Sequence, residues 1–187
     1  YGKGKRWLCK RKYLFMKKEI LKPRKTGEER KRNYKVSTEK RIKRYIKDGG
    51  KGDLDLRGSP IEKLPDNLKV GGSLYLTNTP IKELPHNLQV GDSLDLSETP
   101  IEKLPDNLQV GGNLFLRNTP IKELPDNLKV GGSLYLTNTP IKELPDNLQV
   151  SGGLFLVGTP LSKKYSEEEI RNMIEEKGGY VKGYIIL

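Results

Sequence analysis

The sequence VGGSLYLTNTPIKELP occurs twice without change, at residues 70–85 and again at residues 130–145. Close variants fill the gap: VGDSLDLSETPIEKLP begins at Val90, and VGGNLFLRNTPIKELP begins at Val110. Prolines recur at a period of 20 residues, at positions 60, 80, 100, 120, 140 and 160. A repeat of this length predicts a solenoid, because one unit cannot bury its apolar face alone and must stack on its neighbours.

The repeat unit contains two short extended segments. The L-x-L spacing predicts a strand whose two leucines point to the same side. NLKV at residues 67–70 predicts a second extended segment, with Gly71 and Gly72 forming the turn between the two. Prolines every few residues exclude a long regular helix. The apolar positions are invariant between units and form the predicted core; in one unit they are Leu74, Leu76, Ile81, Leu84, Leu88 and Val90.

A hydroxyl residue recurs before the proline of each unit. The predicted role of its hydroxyl is a hydrogen bond to backbone groups at the corner of its own turn or of the neighbouring turn. Ser59 occupies this position in the first unit, which favours a role for the hydroxyl over one for the methyl group. The other members are Thr79, Thr99, Thr119 and Thr139.

The residues that vary between units carry the information about function. The outward position of L-x-L reads Asp55, Tyr75, Asp95, Phe115, Tyr135 and Phe155, and the next outward position reads Arg57, Thr77, Ser97, Arg117, Thr137 and Val157. With strands about 4.8 Å apart, this row is roughly 25 Å long. An exposed aromatic row is typical of a binding surface, and adjacent rings also stabilise neighbouring strands by stacking. Both interpretations stay open. The predicted protein-binding residues are Tyr75, Asp95, Phe115, Arg117, Tyr135 and Phe155.

The phrase LYLTNTPIKELP resembles the short repeats of bacterial and bacteriophage leucine-rich repeat proteins. The resemblance covers residues 52–161, with six units. Threonine stands where the family usually has asparagine, and VGG replaces the second Leu-Pro step of the bacterial effector type. The resemblance implies a leucine-rich repeat solenoid of stacked parallel strands that recognises a protein through its strand face, without catalysis by the repeats.

Both ends of the solenoid are predicted to be capped. Residues 37–51 are expected to form a helix that starts at Ser37 or Thr38 and covers the first turn with Ile42, Tyr45 and Ile46. Residues 162–187 are expected to form a helix followed by an extended segment. Ser166 suits the helix N-cap, and Ile170, Met173 and Ile174 lie on one face.

Residues 1–36 are predicted to be a basic arm or a partial domain, with 26–35 as a flexible link. Residues 1–50 contain 20 Lys and Arg and 5 Asp and Glu, whereas the rest of the chain has a net charge of −4. Cations interleaved with aromatic residues favour nucleic-acid binding. The alternatives are a solvated fragment of a domain, or an arm that attaches to a membrane or an acidic protein. The candidate residues are Lys5, Arg6, Trp7, Lys10, Arg11, Lys12, Tyr13, Arg24 and Lys25.

The sequence does not favour an enzyme. No nucleotide-binding loop, zinc-protease motif or C-x-x-C pair occurs. His86 is the single histidine, on a repeat turn, and Cys9 is the single cysteine, so we expect no metal, cofactor or disulfide. We expect no secretory leader and no transmembrane segment. The predicted compartment is the cytoplasm, with leaderless export left open.

Together these features predict a non-enzymatic interaction scaffold. Its strand face would bind a protein, and its basic arm would attach to nucleic acid or another polyanion. The alternative is a structural component of a nucleic-acid-associated or ribonucleoprotein particle in which the repeats serve mainly as scaffold.

Overall fold

A computed structural model describes residues 26–106 and 108–187, and Tyr34–Leu187 forms one compact unit. Helix α1 spans Gly27–Lys47. Strands then alternate between two sheets: β1 Leu54–Asp55, β2 Lys69–Val70, β3 Leu74–Tyr75, β4 Gln89–Val90, β5 Leu94–Asp95, β6 Gln109–Val110, β7 Leu114–Phe115, β8 Lys129–Val130, β9 Leu134–Tyr135, β10 Gln149–Val150 and β11 Leu154–Phe155. The last elements are α2 Pro160–Lys164, α3 Glu167–Glu176, β12 Tyr180–Val181 and β13 Ile185–Ile186.

The strands form a parallel β-solenoid. The seven-stranded sheet has the order β1-β3-β5-β7-β9-β11-β13 and is called sheet A here; the six-stranded sheet, β12-β10-β8-β6-β4-β2, is called sheet B. From β1 to β11, each residue of sheet A pairs with the equivalent residue of the next repeat, as for Leu54 with Leu74 and Leu134 with Leu154. Five such turns therefore connect β1 to β11. Each turn contributes one strand to each sheet, as the two extended segments of the repeat predict.

The core lies between the two sheets and consists of the invariant apolar positions. In the turn that contains Leu114, the side chains of Leu114, Leu116, Ile121 and Leu128 are fully buried. The same positions are buried in the other described turns. Burying apolar surface at about 25 cal/mol per Å² stabilises the stack. The core predicted from the periodicity is confirmed.

Each turn returns to the core through a tight corner. The hydroxyl of Thr119 donates a hydrogen bond to the carbonyl oxygen of Leu116 at 2.8 Å, and the other corner threonines repeat this bond within their own turn. Ser59 differs: its buried hydroxyl has no hydrogen-bond partner among the described residues. The first turn therefore does not support the predicted role of the hydroxyl, because serine there lacks the bond that threonine makes.

The residue before each corner threonine has a left-handed backbone. The φ angles are 57° at Asn78, 58° at Glu98, 56° at Asn118 and 58° at Asn138. Glycine occupies the equivalent positions 58 and 158, with φ of 61° and 76°. Asparagine and glycine tolerate this region, whereas glutamate does so at a cost.

The VGG stretch places the backbones of successive turns close together. A Cβ atom built on Gly111 would collide with the carbonyl oxygen of Gly91, and one built on Gly131 would collide with that of Gly111. None of these three glycines has a positive φ. Glycine is therefore used here for close approach between turns rather than for the reversal of the chain.

A ladder of side-chain hydrogen bonds runs beside these glycines. The amide of Ser73 donates to the carboxylate of Asp53 at 2.7 Å, and the amide of Ser133 donates to the side-chain oxygen of Asn113 at 2.7 Å. Gly153 continues the ladder with an N–H bond to the Ser133 hydroxyl at 3.0 Å. These bonds tie each turn to the one before it at the entry to sheet A.

Helix α1 is longer than the sequence predicts, since it starts at Gly27 rather than after Ser37 or Thr38. Its start is a capping box: the amide of Glu29 donates to the Thr26 hydroxyl at 3.2 Å, and the Thr26 amide donates to the Glu29 carboxylate at 3.0 Å. The flexible link predicted for 26–35 is therefore wrong over most of its length. Ser37 and Thr38 lie inside the helix and donate to the carbonyl oxygen of Tyr34.

The helix covers the first turn through fewer residues than expected. Ile42 is 3% exposed and Tyr45 packs against the core, but Ile46 is 47% exposed. The Tyr45 hydroxyl lies 2.6 Å from the carbonyl oxygen of Gly50 and 2.7 Å from that of Gly52. Burial raises the pKa of Tyr45, so this hydroxyl stays protonated and able to donate.

The C-terminal cap is a helix pair followed by one more turn of the solenoid. Helix α3 has the predicted N-cap at Ser166, with a capping box to Glu169, and buries Ile170 and Ile174. Strands β12 and β13 pair in parallel with β10 and β11. The chain between these partners is longer than in the repeats, because α2 and α3 lie between them. The helices thus fill an enlarged last turn.

Two cationic side chains, Arg171 and Lys177, form hydrogen bonds that stabilise this cap. Arg171 of α3 donates to the carbonyl oxygens of Val181 at 2.7 Å and Gly183 at 3.2 Å. Lys177 lies 3.1 Å from the Asp146 carboxylate and donates to the carbonyl oxygen of Leu144 at 2.9 Å. The two bonds of Arg171 satisfy carbonyl groups whose equivalents in the previous turn, those of Val150 and Gly152, accept hydrogen bonds from the next turn.

Candidate functional site

The candidate site is the outer face of sheet A. Because the side chains of a strand alternate between its two faces, the residue between the two core leucines of each turn points outward. The register places Tyr75 beside Asp95, Asp95 beside Phe115, Phe115 beside Tyr135, and Tyr135 beside Phe155. Arg117 extends from the next outward position of the same face. The structure therefore brings the predicted protein-binding residues together on one surface.

The rings of Phe115, Tyr135 and Phe155 form a continuous stack, called the aromatic row here. Ring centres of Phe115 and Tyr135 are 4.6 Å apart with planes inclined by 13°, and those of Tyr135 and Phe155 are 4.4 Å apart and inclined by 10°. The rings therefore stack on one another, as one of the two interpretations of this row expects. All three side chains are half-buried, so their outer edges remain open to contact.

Arg117 lies against this row. Its guanidinium carbon is 4.6 Å from the ring centre of Tyr135 and 5.5 Å from that of Phe115, distances typical of a cation–π contact. The side chain is exposed. A planar cation held on an aromatic surface suits recognition of a carboxylate or a carbonyl group, since its N–H groups remain available at the edges.

The other end of the face is polar and internally bonded. Asp55 accepts hydrogen bonds from the Arg57 side chain at 3.0 and 2.7 Å, and this guanidinium holds the pKa of Asp55 below its ordinary value. Asp95 accepts from the Thr77 hydroxyl at 2.8 Å and from the Ser97 amide at 2.9 Å. These carboxylates are oriented by their neighbours and resemble structural groups rather than an acid–base pair.

The face extends one turn further than the sequence analysis expected. Ile186 on β13 pairs in register with Phe155 and continues its row. Ile186 is 42% exposed, Val157 is 43% exposed and Tyr184 is 80% exposed. The signal was present in GYIIL at residues 183–187, which matches the G-x-L-x-L phase of the repeat with isoleucine in place of leucine.

Apolar exposure on the solenoid is concentrated at this end. Among the described residues that follow α1, the exposed large hydrophobic side chains are Val157, Tyr180, Tyr184, Ile186 and Leu187. The face of sheet A is therefore graded, from the charged pair Asp55 and Arg57 to an apolar surface at the last turn.

The outer face of sheet B has a different character. Its outward residues are Lys69, Gln89, Gln109, Lys129, Gln149 and Tyr180, which are aligned by the strand register. This row has no aromatic residue before Tyr180. Sheet B therefore serves as an internal comparison for sheet A, with the same spacing and backbone but polar side chains.

The loops between the sheets form a shallow cavity of about 410 Å³ near Lys103, Glu123, Asp126, Glu143 and Lys177. In the part of the chain that the structure describes, no group of three or more His, Cys, Asp or Glu side chains is placed to hold a metal ion. His86 is exposed on its turn. None of the described helices is long and apolar enough to cross a membrane.

The nucleic-acid candidates of the basic arm, Lys5 to Lys25, lie outside the described residues, and so does Cys9. Their binding role stays a prediction. Comparison of the chain with models of protein families, with characterised proteins and with solved structures finds no match in any of the three.

Proposed function

We propose that the protein is a non-enzymatic interaction scaffold that binds a protein partner through the outer face of sheet A. The observation that carries the proposal is the aromatic row, which leads without a break into the exposed apolar side chains of the last turn. Contiguous apolar exposure is typical of an interaction site, and aromatic and arginine side chains often contribute most of the binding energy.

The rigidity of the site supports this proposal. Each ring is held by its strand and by its neighbours in the stack, so little side-chain entropy remains to be lost on binding. Arg117 adds a charged group at the centre of the face. The preferred partner surface would therefore be apolar opposite Tyr135 and Phe155 and carry an acidic or carbonyl group opposite Arg117.

The resemblance to leucine-rich repeat proteins implies recognition through the strand face, which agrees with this proposal. We also propose that the chain belongs to that family. Attachment of the basic arm to nucleic acid or another polyanion is a second part. The two parts of the proposal concern different segments, sheet A and the basic arm, so either can be wrong without affecting the other.

The test compares two surface variants of the full chain. The sheet A variant carries Phe115→Ser and Tyr135→Ser. The matched sheet B variant carries Gln109→Ser and Lys129→Ser, on the strands β6 and β8 that precede β7 and β9 in the chain. Immobilised proteins are exposed to nuclease-treated lysate, and captured proteins are quantified by mass spectrometry. We expect specific proteins to be lost with the sheet A variant and retained with the sheet B variant. Equal capture by the wild-type protein and the two variants would contradict the proposal.

A further inference from the structure

The cations of helix α1 fall into two groups that the sequence does not distinguish. One group faces the solenoid: Lys35 lies 3.9 Å from the Glu62 carboxylate, and Arg41 donates a hydrogen bond to the carbonyl oxygen of Asp55. Thr38 and Ile42, each 3% exposed, mark this side of the helix. These two cations therefore help to attach the helix to the first turn.

The second group lies on the opposite side. At 3.6 residues per turn, Lys40, Arg44 and Lys47 lie about 140–160° around the helix from Ile42. Lys43 lies about 100° from Ile42, at the edge of this side, and also lines the groove beside the first turn. All four are exposed. Their i, i+3, i+4, i+7 spacing forms one line about 10 Å long at 1.5 Å per residue. We call these four residues the cationic stripe.

The positive charge of the stripe, four cations, exceeds the charge of the two carboxylates near it, Glu39 and Asp48. Within residues 26–106 and 108–187, none of the four side chains belongs to an ion pair. Two carboxylates lie nearby: Glu39 is one helical turn before Lys43 and lines the same groove, and Asp48 follows Lys47, but neither forms an ion pair with the four cations. Like charges at i and i+4, as in Lys40 with Arg44 and Lys43 with Lys47, destabilise a helix. A regular anionic partner would remove this repulsion.

The chemistry of the stripe selects among anionic partners. The exposed aromatic residue of α1, Tyr34, lies more than one turn before Lys40, so none of the four positions of the stripe offers a ring that could stack on a base and favour single strands. Two exposed aliphatic side chains, Val36 at 44% and Ile46 at 47%, lie ten residues apart on the helix, whereas helices that insert into membrane surfaces have a continuous face of large apolar residues. A line of lysine and arginine residues whose spacing is fixed by the helix suits the regular row of phosphates of a duplex.

We propose that the cationic stripe of α1 binds the phosphate backbone of duplex nucleic acid, independently of base sequence. This surface is distinct from the outer face of sheet A and from the arm candidates between Lys5 and Lys25. The protein would then hold a duplex on its N-terminal helix while the solenoid presents a separate protein-binding face.

The test uses three variants of the full chain, each of which removes four positive charges and lowers the net charge from +11 to +7. The stripe variant replaces Lys40, Lys43, Arg44 and Lys47 with glutamine, which retains high helix propensity. The arm variant replaces Lys5, Arg6, Lys10 and Arg11 with glutamine. The control variant replaces four exposed lysines of the repeats, Lys63, Lys82, Lys122 and Lys142, with glutamine.

Binding of each protein to a short labelled DNA duplex is measured over a range of salt concentrations. The slope of log affinity against log salt is about −0.9 for each phosphate neutralised. We expect the slope for the stripe variant to be less negative than that of the wild-type protein by about 2 to 4. The slope for the control variant should equal that of the wild-type protein. Pairwise variants, Lys40/Lys43 and Arg44/Lys47, should each lose about half as much, and circular dichroism should show an intact helix.

Three outcomes would overturn the proposal. The stripe variant could retain the slope of the wild-type protein, or the control could lose as much as the stripe variant, which would show that only net charge matters. The stripe variant could also bind duplex normally and lose binding to vesicles of phosphatidylcholine and phosphatidylserine, which would assign the stripe to membranes. The arm variant reports separately on the basic arm, and the stripe result stands whether or not the arm contributes.

Discussion

Phe115 and Tyr135 stack with their ring centres 4.6 Å apart, nearly the distance of about 4.8 Å that separates adjacent strands. The spacing of the rings is thus set by the backbone of sheet A rather than by the rings themselves. The same relationship holds between Tyr135 and Phe155. A surface built in this way is fixed before any partner arrives.

The stack predicts an energetic coupling between Phe115 and Tyr135. A double-mutant cycle with alanine should give a coupling of about 0.5–1.5 kcal/mol, as for other aromatic pairs in contact. The matched control is the pair Tyr75 and Phe115, which Asp95 separates on the sheet and whose changes should be additive. Urea unfolding measures both cycles, and equal coupling in the two would show that ring contact is not the cause.

Core and face should respond differently to truncation. Leu116 is fully buried, so Leu116→Ala should lower the free energy of unfolding by about 2–5 kcal/mol. Phe115→Ala removes a half-buried ring and should cost clearly less. Chemical denaturation of both variants tests this difference. A larger loss for Phe115→Ala would mean that the aromatic row is primarily a structural element.

Glu98 is the exception among the left-handed corner residues, and its replacement should stabilise the protein. Its φ is 58°, whereas the equivalent positions carry asparagine or glycine. The side chain of Asn138 donates to that of Asn118 at 2.9 Å, and Glu98→Asn would extend this pairing. We expect a gain of about 1 kcal/mol in unfolding free energy. Glu102→Asn, at an exposed position of the same turn, is the control and should give no gain.

The periodicity of the sequence was sufficient to predict the turns, the core and the alignment of the outward residues. Leu74 and Val90 have an equivalent in each unit of the repeat, so one unit determines the position of all the others. The same logic applied to GYIIL would have placed Ile186 beside Phe155. It was missed because isoleucine replaces leucine, and because the helices of the cap lengthen the chain between Leu154 and its partner Ile185.

The helical ends were harder to predict because they depend on single contacts rather than on a repeated pattern. The start of α1 is determined by the capping box of Thr26 and Glu29, within a stretch too charged to show apolar periodicity. Whether Ile46 is buried depends on how the helix sits on the first turn. Separating the cationic stripe from the cations that face the solenoid also required three-dimensional contacts, such as that of Lys35 with Glu62.

Because of two carboxylates, the free energy of unfolding should depend on pH in the acidic range. Hydrogen bonds from the Ser166 backbone amide and, to a lesser extent, from the Ser166 hydroxyl lower the pKa of Glu169, and the Arg57 side chain lowers the pKa of Asp55. A carboxylate with a lowered pKa in the folded state stabilises the fold above its unfolded pKa of about 4. This contribution is lost as the pH falls from that value through the folded pKa.

The Ser166→Ala variant tests the cap directly. The Glu169 pKa, followed by NMR, should rise part of the way toward its ordinary value, because the hydrogen bond from the Ser166 hydroxyl is gone while the larger effect of the Ser166 backbone amide remains. The unfolding free energy at neutral pH should fall by about 0.5–2 kcal/mol, as for other N-cap replacements. Glu168→Ala, in the same helical turn but outside the capping box, should leave the Glu169 pKa unchanged. An unchanged Glu169 pKa in Ser166→Ala would show that the hydroxyl has no part in lowering it and that the Ser166 backbone amide alone does so.

The last prediction concerns the basic arm. Trp7 is the only tryptophan of the chain, so its fluorescence reports on the arm alone. If the arm binds single-stranded nucleic acid through Trp7 and Tyr13, bases should stack on these rings and contribute about 1–3 kcal/mol each. Single-stranded RNA should then quench Trp7 and retain measurable binding at high salt.

Heparin is the matched polyanion, because it has the charge of a nucleic acid but no bases. It should bind at low salt by counterion release, leave the Trp7 emission without base-induced quenching, and dissociate as the salt concentration rises. The Trp7→Ala and Tyr13→Ala variants should bring RNA binding at high salt down to the level of heparin. If RNA and heparin already behave alike with the wild-type protein, the arm is a general cationic tether, and stacking by Trp7 has no part in binding.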